Sequence, residues 1–280
     1  MSNGAHVDAG RRPPVLFLTG IGLTAAVAQR SIAALEAHFR VVAPPLGATP
    51  APLGANAEDA APSARWMTTA DDAVAALDGA GVEQAHVVGL SFGGMIAQEL
   101  AIRHPRRVRS LVLASSSAGG GRYVPPEPAI RHFLRGLDGL PFEEGLWAAV
   151  PYVYSATTRG DRAPLIGDDI ARRLSSPLDP RSYRRQYAIA QAHDAGARLA
   201  QITAPTLVMH GEQDRILPLE NGRMLADGIV GARFMALPGG GHGFTTDLPD
   251  ASEELVSFLL VHSPSPAGSA ATRSARATRA

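Results

Sequence analysis

Six short apolar runs alternate along the chain with segments whose apolar residues recur at helical spacing. Each run is bounded by turn residues and is continuously apolar, which is typical of strands buried on both faces of a parallel sheet. Parallel neighbours need crossover connections, and the helical segments supply them. The chain is therefore predicted to have an α/β fold built on a mostly parallel, doubly wound sheet of about six strands. The predicted strands are 15–19, 41–43, 86–90, 110–114, 206–210 and 233–237.

Helical periodicity predicts five helices between and after these strands. Asp71 and Asp72 are expected in the first turn of the second helix, where the helix dipole favours acidic side chains. The predicted helices are 31–39, 68–80, 93–104, 220–228 and 251–261.

Between Ser115 and Gln201 the alternation stops, and about 85 residues rich in arginine, proline and aromatic side chains intervene. Because loops of that length are uncommon in compact domains, the stretch is predicted to form short helices that cap the carboxyl edge of the sheet. After residue 262 the composition indicates a disordered tail. The predicted organisation is a flexible N-terminus (1–12), a first part of the core (13–117), a helical cap (118–201), a second part of the core (202–262) and the tail (263–280).

Charge and cysteine content narrow the classes of partner. The formal net charge of the 280 residues is zero, and all 26 basic residues are arginine, so no global field attracts nucleic acid. The absence of cysteine excludes disulfides, thiolate metal sites and cysteine nucleophiles. No uninterrupted apolar run reaches the roughly 20 residues that a membrane helix needs. We therefore expect no nucleic-acid partner and no membrane span, and the oligomeric state is left open.

The N-terminal region imitates a secretory signal, because Arg11 and Arg12 precede an apolar stretch at 15–28. That stretch contains the first predicted strand, and Pro13 and Pro14 interrupt the region where a signal helix would begin. We therefore predict that the segment is retained and that the protein is cytoplasmic.

A Gly-x-Ser-x-Gly sequence at 89–93 lies between a predicted strand and a predicted helix. The glycines permit a tight strand-to-helix turn that exposes the hydroxyl of the central serine. This context, more than the pattern itself, predicts that Ser91 is the nucleophile of an enzyme.

A serine hydroxyl is a weak nucleophile that needs a base and a third group to orient that base. His242 alone among the nine histidines follows a predicted strand in a glycine-rich loop, which favours it as the base. His210 and His193 are interpreted as structural. Asp214, just beyond the preceding strand, is predicted to orient His242. The competitors are Glu212, which follows its strand too closely, and Asp247, which is assigned to helix capping.

Attack on a carbonyl group creates an oxyanion that backbone amides can stabilise. The predicted donors are the amide of Phe92, directly after the nucleophile, and that of Ile21, in the loop that leaves the first strand. Gly20 and Gly22 give that loop the freedom to turn an amide inward.

Together these residues resemble the α/β-hydrolase superfamily from about Pro14 to Val261, and in particular capped esterases, enol-lactonases and medium-chain polyhydroxyalkanoate depolymerases. The stretches that carry the resemblance are 87–97, 104–108, 111–113, 204–208 and 211–214. The chain departs from the family pattern at Thr19, where His is usual, and at 44–47, where Asp-x-x-Gly is common. It also begins too late for the family's leading antiparallel hairpin.

The resemblance implies a serine hydrolase that cleaves a carboxylic ester, lactone or thioester through an acyl-enzyme, with no cofactor and no metal. Its expected partner is a small hydrophobic ester-like substrate, contacted by Gly20, Trp147 and Tyr152. Two alternatives stay open. An acyltransferase or perhydrolase could use the same three residues with another acceptor, and a non-hydrolytic ligand-binding or cyclase-like protein could keep the fold alone.

Overall fold

Six strands form one parallel sheet in the computed structural model, which describes residues 12–46 and 62–264. The predicted six-stranded α/β fold is thus confirmed, and each strand begins and ends within two residues of its prediction. The strands are β1 (Pro14–Leu18), β2 (Arg40–Val42), β3 (Ala85–Leu90), β4 (Val108–Ala114), β5 (Thr206–Gly211) and β6 (Arg233–Leu237).

Helices connect the strands and cover both faces of the sheet. The helices are α1 (Gln29–Glu36), α2 (Pro62–Gly79), α3 (Phe92–Arg103), α4 (Pro128–Gly136), α5 (Phe142–Val153), α6 (Ala156–Asp161), α7 (Ala163–Ser175), α8 (Pro180–Gln191), α9 (Leu219–Gly228), α10 (Phe244–Asp247) and α11 (Ala251–Val261).

Two details of the predicted helices are wrong. Helix α2 begins at Pro62, six residues before its predicted start, because proline is well suited to the first turn of a helix. Asp71 and Asp72 therefore lie in its middle, and Asp71 pairs with Arg103 and His104. The short helix α10 was not predicted, since four residues are too few to show helical periodicity.

Side chains from alternate positions of each strand enter two separate cores. In β1, Leu16 and Leu18 pack with α3 residues such as Ile96, whereas Val15 and Phe17 pack on the other face. That second face is covered by residues of α1 and α11. Burial on both faces explains why the strands read as continuous apolar runs in the sequence.

Five helices, α4 to α8, occupy the stretch between β4 and β5 for which a helical cap was predicted. The division into domains at residues 118 and 201 stays a prediction, as does the cytoplasmic location. Of the predicted flexible ends, residues 1–11 and 265–280 lie outside the described residues. No helix in the described ranges is long and apolar enough to cross a bilayer.

The strand order β2-β1-β3-β4-β5-β6 reverses direction at β1, because the chain first moves outward to β2 and then returns to the other side of β1. In open parallel sheets such a reversal leaves a crevice at the carboxyl ends of the two strands that flank it. Here those strands are β1 and β3, which lead into the Gly20 loop and into Ser91. The topology alone thus brings two distant sequence motifs together.

Two buried histidines have lowered pKa values, from which we predict that the free energy of unfolding decreases in mild acid. Burial lowers the pKa of His193 to about 3, with a further contribution from the charge of Arg198. Burial likewise lowers the pKa of His86 to about 4. Only the unfolded chain therefore takes up these protons between about pH 6.5 and pH 4, so the free energy of unfolding falls as the pH is lowered through that window.

We expect a loss of about 1 to 2 kcal/mol for each histidine between pH 7 and pH 5, measured by chemical denaturation. A His193→Gln variant should show a shallower pH dependence, while His132→Gln, a change at an exposed position of α4, should leave it as in the wild type. An unchanged slope in the His193 variant would contradict this interpretation.

Candidate active site

Ser91 lies in a strained backbone conformation between β3 and α3. Its φ of 53° and ψ of −113° fall in a region that side chains rarely occupy. The turn is held by a hydrogen bond of 2.8 Å from the Ser91 amide to the Ala114 carbonyl, and by one of 2.8 Å from the Ser116 hydroxyl to the Ser91 carbonyl. The strain is therefore maintained by the neighbouring strand, as expected for a turn that must present its side chain.

Both glycines of the Gly-x-Ser-x-Gly sequence are required by close backbone approach. A Cβ atom on Gly93 would overlap the carbonyl oxygen of Leu18 at the end of β1. A Cβ atom on Gly89 would lie 2.5 Å from the carbonyl oxygen of Gly93. The pattern is thus a packing requirement that brings α3 down onto the sheet.

His242 reaches both Ser91 and Asp214, although 151 residues separate it from Ser91 in the sequence. Its Nε2 lies 3.1 Å from Ser91 Oγ, and its Nδ1 lies 2.8 Å from Asp214 Oδ2. The imidazole is 16% exposed, while the Asp214 side chain is fully buried. The structure therefore brings the three predicted residues into one hydrogen-bonded chain that opens to solvent at the serine end.

The Asp214 carboxylate receives hydrogen bonds at both oxygens. Its Oδ1 accepts from the backbone amides of Ile216 at 2.9 Å and Leu217 at 2.8 Å. Burial alone raises the pKa of this carboxyl, but the charges and hydrogen bonds of His242 and His210 outweigh burial and hold the pKa below its ordinary value. Asp214 is therefore an anion at neutral pH, in the state that accepts a proton-bearing Nδ1.

A second histidine, His210, also contacts Asp214. Its Nε2 lies 2.7 Å from the Leu217 carbonyl and 3.3 Å from Asp214 Oδ2. Because a carbonyl oxygen only accepts, Nε2 of His210 carries the proton and can share it with the carboxylate. The sequence did not single out His210 for this contact. The available signal was its spacing of four residues before Asp214, across the turn that ends β5.

The loop that carries His242 is tied to the helices between β4 and β5. The Gly243 amide donates to the Val153 carbonyl at 2.9 Å. The buried carboxylate of Asp247 accepts from the amides of Gly241 at 2.6 Å and Ser155 at 3.1 Å. The prediction that Asp247 caps the last helix is wrong, because α10 intervenes and turns its side chain back toward the histidine loop.

The loop after β1 has polar support despite the Thr19 departure noted in the sequence. The Thr19 hydroxyl donates to the Leu23 carbonyl at 2.9 Å, and the Gly22 amide donates to Oε1 of Gln186 on α8 at 2.9 Å. Gln186 is fully buried and donates in turn to the Leu46 carbonyl at 2.8 Å. A Cβ atom on Gly20 would lie 3.5 Å from Ser91 Cβ, so this loop runs directly beside the serine.

Ser91 forms part of the wall of a cavity of about 440 Å³ between the sheet edge and helices α4 and α8. Ile21 and Phe92, the predicted oxyanion donors, line the same cavity. Phe92 is the first residue of α3, and backbone amides in the first turn of a helix point out of its N-terminus. The apolar part of the wall comes from Ile21, Phe92, Met95, Pro126, Leu134, Ala190, Ala192, Ile216 and Leu217.

Neither Trp147 nor Tyr152 lines this cavity, and their substrate contacts stay a prediction. Trp147 is 50% exposed on α5. The Tyr152 ring packs against Phe133 in a tilted arrangement with ring centroids 4.8 Å apart, and the central carbon of the Arg215 guanidinium lies 5.3 Å from the centroid of the Tyr152 ring. Both residues were predicted to contact the substrate because they are aromatic. Aromatic character does not show which face of a helix turns toward a cavity. Gly20 is adjacent to Ser91 without lining the cavity itself.

In the described ranges, no group of three or more His, Cys, Asp or Glu side chains surrounds a common point where a metal could bind. The polar groups at Ser91 are its hydroxyl, the imidazole of His242, the carboxylate of Asp214 and the backbone amide of Phe92 at the start of α3. This set can transfer protons and stabilise a negative oxygen.

Comparison with known proteins places the chain among hydrolases. A sequence model of the alpha/beta hydrolase fold family matches residues 13–145. One relative is the protein of Variovorax paradoxus strain S110 that bears the name "Putative carbamate hydrolase RutD". It is 31% identical over 253 residues, which cover 88% of this chain and 91% of the relative. The 2-hydroxymuconate semialdehyde hydrolase of Pseudomonas sp. strain CF600 is 31% identical over 249 residues, covering 84% of this chain and 82% of its own.

A solved structure gives the same result for the fold. The enol-lactonase from Burkholderia xenovorans LB400 superposes with a TM-score of 0.72 at 22% identity, covering 90% of this chain and 93% of the other. At this identity the likeness concerns the fold alone. The parallel sheet, its reversal at β1 and the full-length relatives lead to one conclusion: the chain is a hydrolase that belongs to the α/β-hydrolase superfamily.

Proposed function

We propose that the protein hydrolyses a carboxylic ester, lactone or thioester, with Ser91 as nucleophile, His242 as general base and acid, and Asp214 as the group that orients His242. The single observation that carries the proposal is the continuous hydrogen-bonded path from Ser91 Oγ through His242 to the buried Asp214 carboxylate. A path of this kind serves to activate a hydroxyl group.

In the first step, Ser91 Oγ attacks the substrate carbonyl carbon while His242 Nε2 accepts the hydroxyl proton. The positive charge that develops on the imidazole is stabilised by the Asp214 anion at Nδ1. The carbonyl oxygen becomes an oxyanion, for which the amides of Ile21 and Phe92 are the proposed donors. When the tetrahedral intermediate collapses, the bond to the leaving group breaks and His242 gives its proton to the departing oxygen or sulfur.

In the second step, a water molecule takes the place of the leaving group. His242 accepts a proton from the water as its oxygen attacks the acyl-enzyme, and Ser91 Oγ leaves with that proton returned through His242. His210 is proposed as a positioning residue, because its Nε2–H shares Asp214 Oδ2 and limits the orientations that the carboxylate can adopt.

The relatives do not agree on the bond that is cleaved. Their names refer to a carbamate, a semialdehyde and an enol-lactone. We favour an ester-type bond because apolar residues such as Ile21, Phe92 and Met95 line the cavity together with Ser91, and because His242 is the acidic or basic side chain that the described residues place in hydrogen-bond contact with the Ser91 hydroxyl. Carbamate hydrolysis is the alternative to ester hydrolysis, because the relative named for it is 31% identical to this chain.

The proposal is tested by a hydrolysis screen of purified protein with p-nitrophenyl esters of increasing acyl length, lactones, thioesters and aryl carbamates, each beside the Ser91→Ala variant. We expect ester or lactone turnover that is lost in the variant. Turnover of carbamates alone would replace the ester proposal, and turnover that persists in Ser91→Ala would remove the role given to this serine. Added alcohols or peroxide would reveal acyl transfer as a second product.

A further inference from the structure

Two arginines of α4 face the cavity that contains Ser91. Arg131 and Arg135 are four residues apart and both line the cavity wall, as does Leu134 between them. Residues at this spacing lie on the same side of a helix. Ile130, which is 1% exposed, anchors the helix by its buried side. The helix is therefore held so that one of its faces presents two guanidinium groups toward the cavity.

Within residues 12–46 and 62–264, the guanidinium groups of Arg131 and Arg135 have no ion pair and no hydrogen bond, and both residues are exposed to solvent. The neighbouring Arg215, by contrast, pairs with Glu127 at 3.4 Å. Arg198 binds the buried Glu99 through two hydrogen bonds of 2.9 Å and 2.5 Å. The two α4 arginines thus retain their capacity to bind an anion.

The cavity wall also contains Asp194, and two arginines with one aspartate give the wall a net positive charge. Asp194 contributes one carboxylate, which accepts a hydrogen bond of 3.2 Å from the Gly196 amide. His193 also lines the cavity, but burial lowers its pKa to about 3 and keeps it neutral. The residues that line the cavity therefore include two arginines and one aspartate. An anionic ligand is favoured over a cationic one by this difference.

Tyr123 links the arginine side of the cavity to the candidate catalytic residues. The pKa of its hydroxyl is raised by burial and by the nearby Tyr187 and Asp214, and the charge of Arg131 opposes that rise. Ser91, Tyr123 and Arg131 all line the same cavity, so a small molecule with its reacting carbonyl at Ser91 can extend past Tyr123 toward Arg131.

We propose that the substrate is an acyl compound with a free carboxylate at the far end of its acyl chain, held by Arg131 and Arg135 while its carbonyl group lies at Ser91. This inference rests on the proposed ester hydrolysis and narrows the substrate class. Guanidinium groups suit the purpose because their planar donors match the two oxygens of a carboxylate. Because both arginines are exposed, solvent weakens the contacts between their guanidinium groups and the substrate carboxylate. The two arginines are therefore expected to contribute more to the choice of substrate than to tight binding.

The test compares the p-nitrophenyl monoester of adipic acid with the same compound capped as its methyl ester, which removes the charge and keeps the chain. For the wild-type protein we expect kcat/KM to be roughly five- to tenfold higher for the free acid, an effect that added salt reduces. The double variant Arg131→Gln, Arg135→Gln should lose this preference, so that kcat/KM for the free acid and for the capped ester become equal. Arg159→Gln, at an exposed position of α6 outside the cavity wall, is the charge-matched control and should keep the preference.

Chain length and binding complete the test. Monoesters of succinic, adipic and suberic acid vary the distance between the reacting carbonyl and the free carboxylate. The absence of a free-acid preference at all three lengths would overturn the inference while leaving ester hydrolysis intact. If no ester is turned over, the inference is tested by calorimetry, which measures the binding of the adipate monoester to the Ser91→Ala variant. Binding that the two glutamine substitutions weaken by roughly fivefold or more supports the inference, and equal binding overturns it.

Discussion

Replacing Asp214 with asparagine is expected to lower kcat by about 10³- to 10⁴-fold while the protein remains folded. The Asp214 Oδ1 position can still accept from the amides of Ile216 and Leu217, which preserves the turn. The new amide group would then face the donor Nε2–H of His210 and the Nδ1 of His242. Because an amide NH₂ cannot accept a proton-bearing Nδ1, His242 is driven into the tautomer that cannot receive the Ser91 proton.

The measurement is kcat for the best ester of the screen, with thermal unfolding as the check on folding. Glu212→Gln is the matched control, since it makes the same chemical change two residues earlier at an exposed position. It should keep wild-type activity. An Asp214→Asn variant that retains more than about a tenth of the wild-type kcat would show that another acid orients the base.

Replacing Gly93 with alanine is expected to have the largest effect on stability, with a loss of about 4 kcal/mol or failure to fold. The new methyl group would overlap the Leu18 carbonyl oxygen and contact the Thr19 carbonyl oxygen at about 2.6 Å. Leu18 is the last residue of β1 and Thr19 follows it directly. Because β1 is held in the sheet by β2 and β3, these carbonyl groups cannot move aside without breaking strand pairing. Overpacking against rigid backbone is more costly than overpacking against a mobile side chain.

The control is Gly167→Ala in the interior of α7, where an added methyl group has no neighbour within 4 Å. That change should leave stability unchanged or raise it by up to about 1 kcal/mol, because alanine is the better helix former. Urea denaturation of both variants gives the comparison. A Gly93→Ala protein with wild-type stability would mean that α3 does not approach β1 as closely as described.

The sheet and the three central residues were predictable because their signals are local. The inner strands β1, β3, β4 and β5 are buried on both faces and so read as apolar runs. The glycines around Ser91 are needed for close backbone contact at the same place in the sequence. His242 was found from its glycine-rich loop. That this loop reaches Ser91 is seen only in the fold, because β6 lies three strands away from β3 in the sheet.

The remaining features of the site depend on contacts between distant segments. Whether Trp147 or Arg131 faces the cavity depends on how α4 and α5 pack. Helical periodicity identifies a helix, but it does not show how the helix is rotated about its axis relative to its neighbours. Gln186 supports the loop of Gly22, which lies 164 residues away in the sequence. Asp247 reaches Ser155 across 92 residues. No local pattern distinguishes these polar residues from those that face solvent.

The central claim is that His242 activates Ser91, and the rate of covalent labelling by a fluorophosphonate tests it most directly. Mass spectrometry of the digested protein should locate one adduct on the peptide that contains Ser91, with none in Ser91→Ala. His242→Gln should slow the labelling by about 100-fold or more, because the hydroxyl then lacks its base. Labelling at another residue, or labelling of Ser91 at the same rate without the imidazole, would contradict the account.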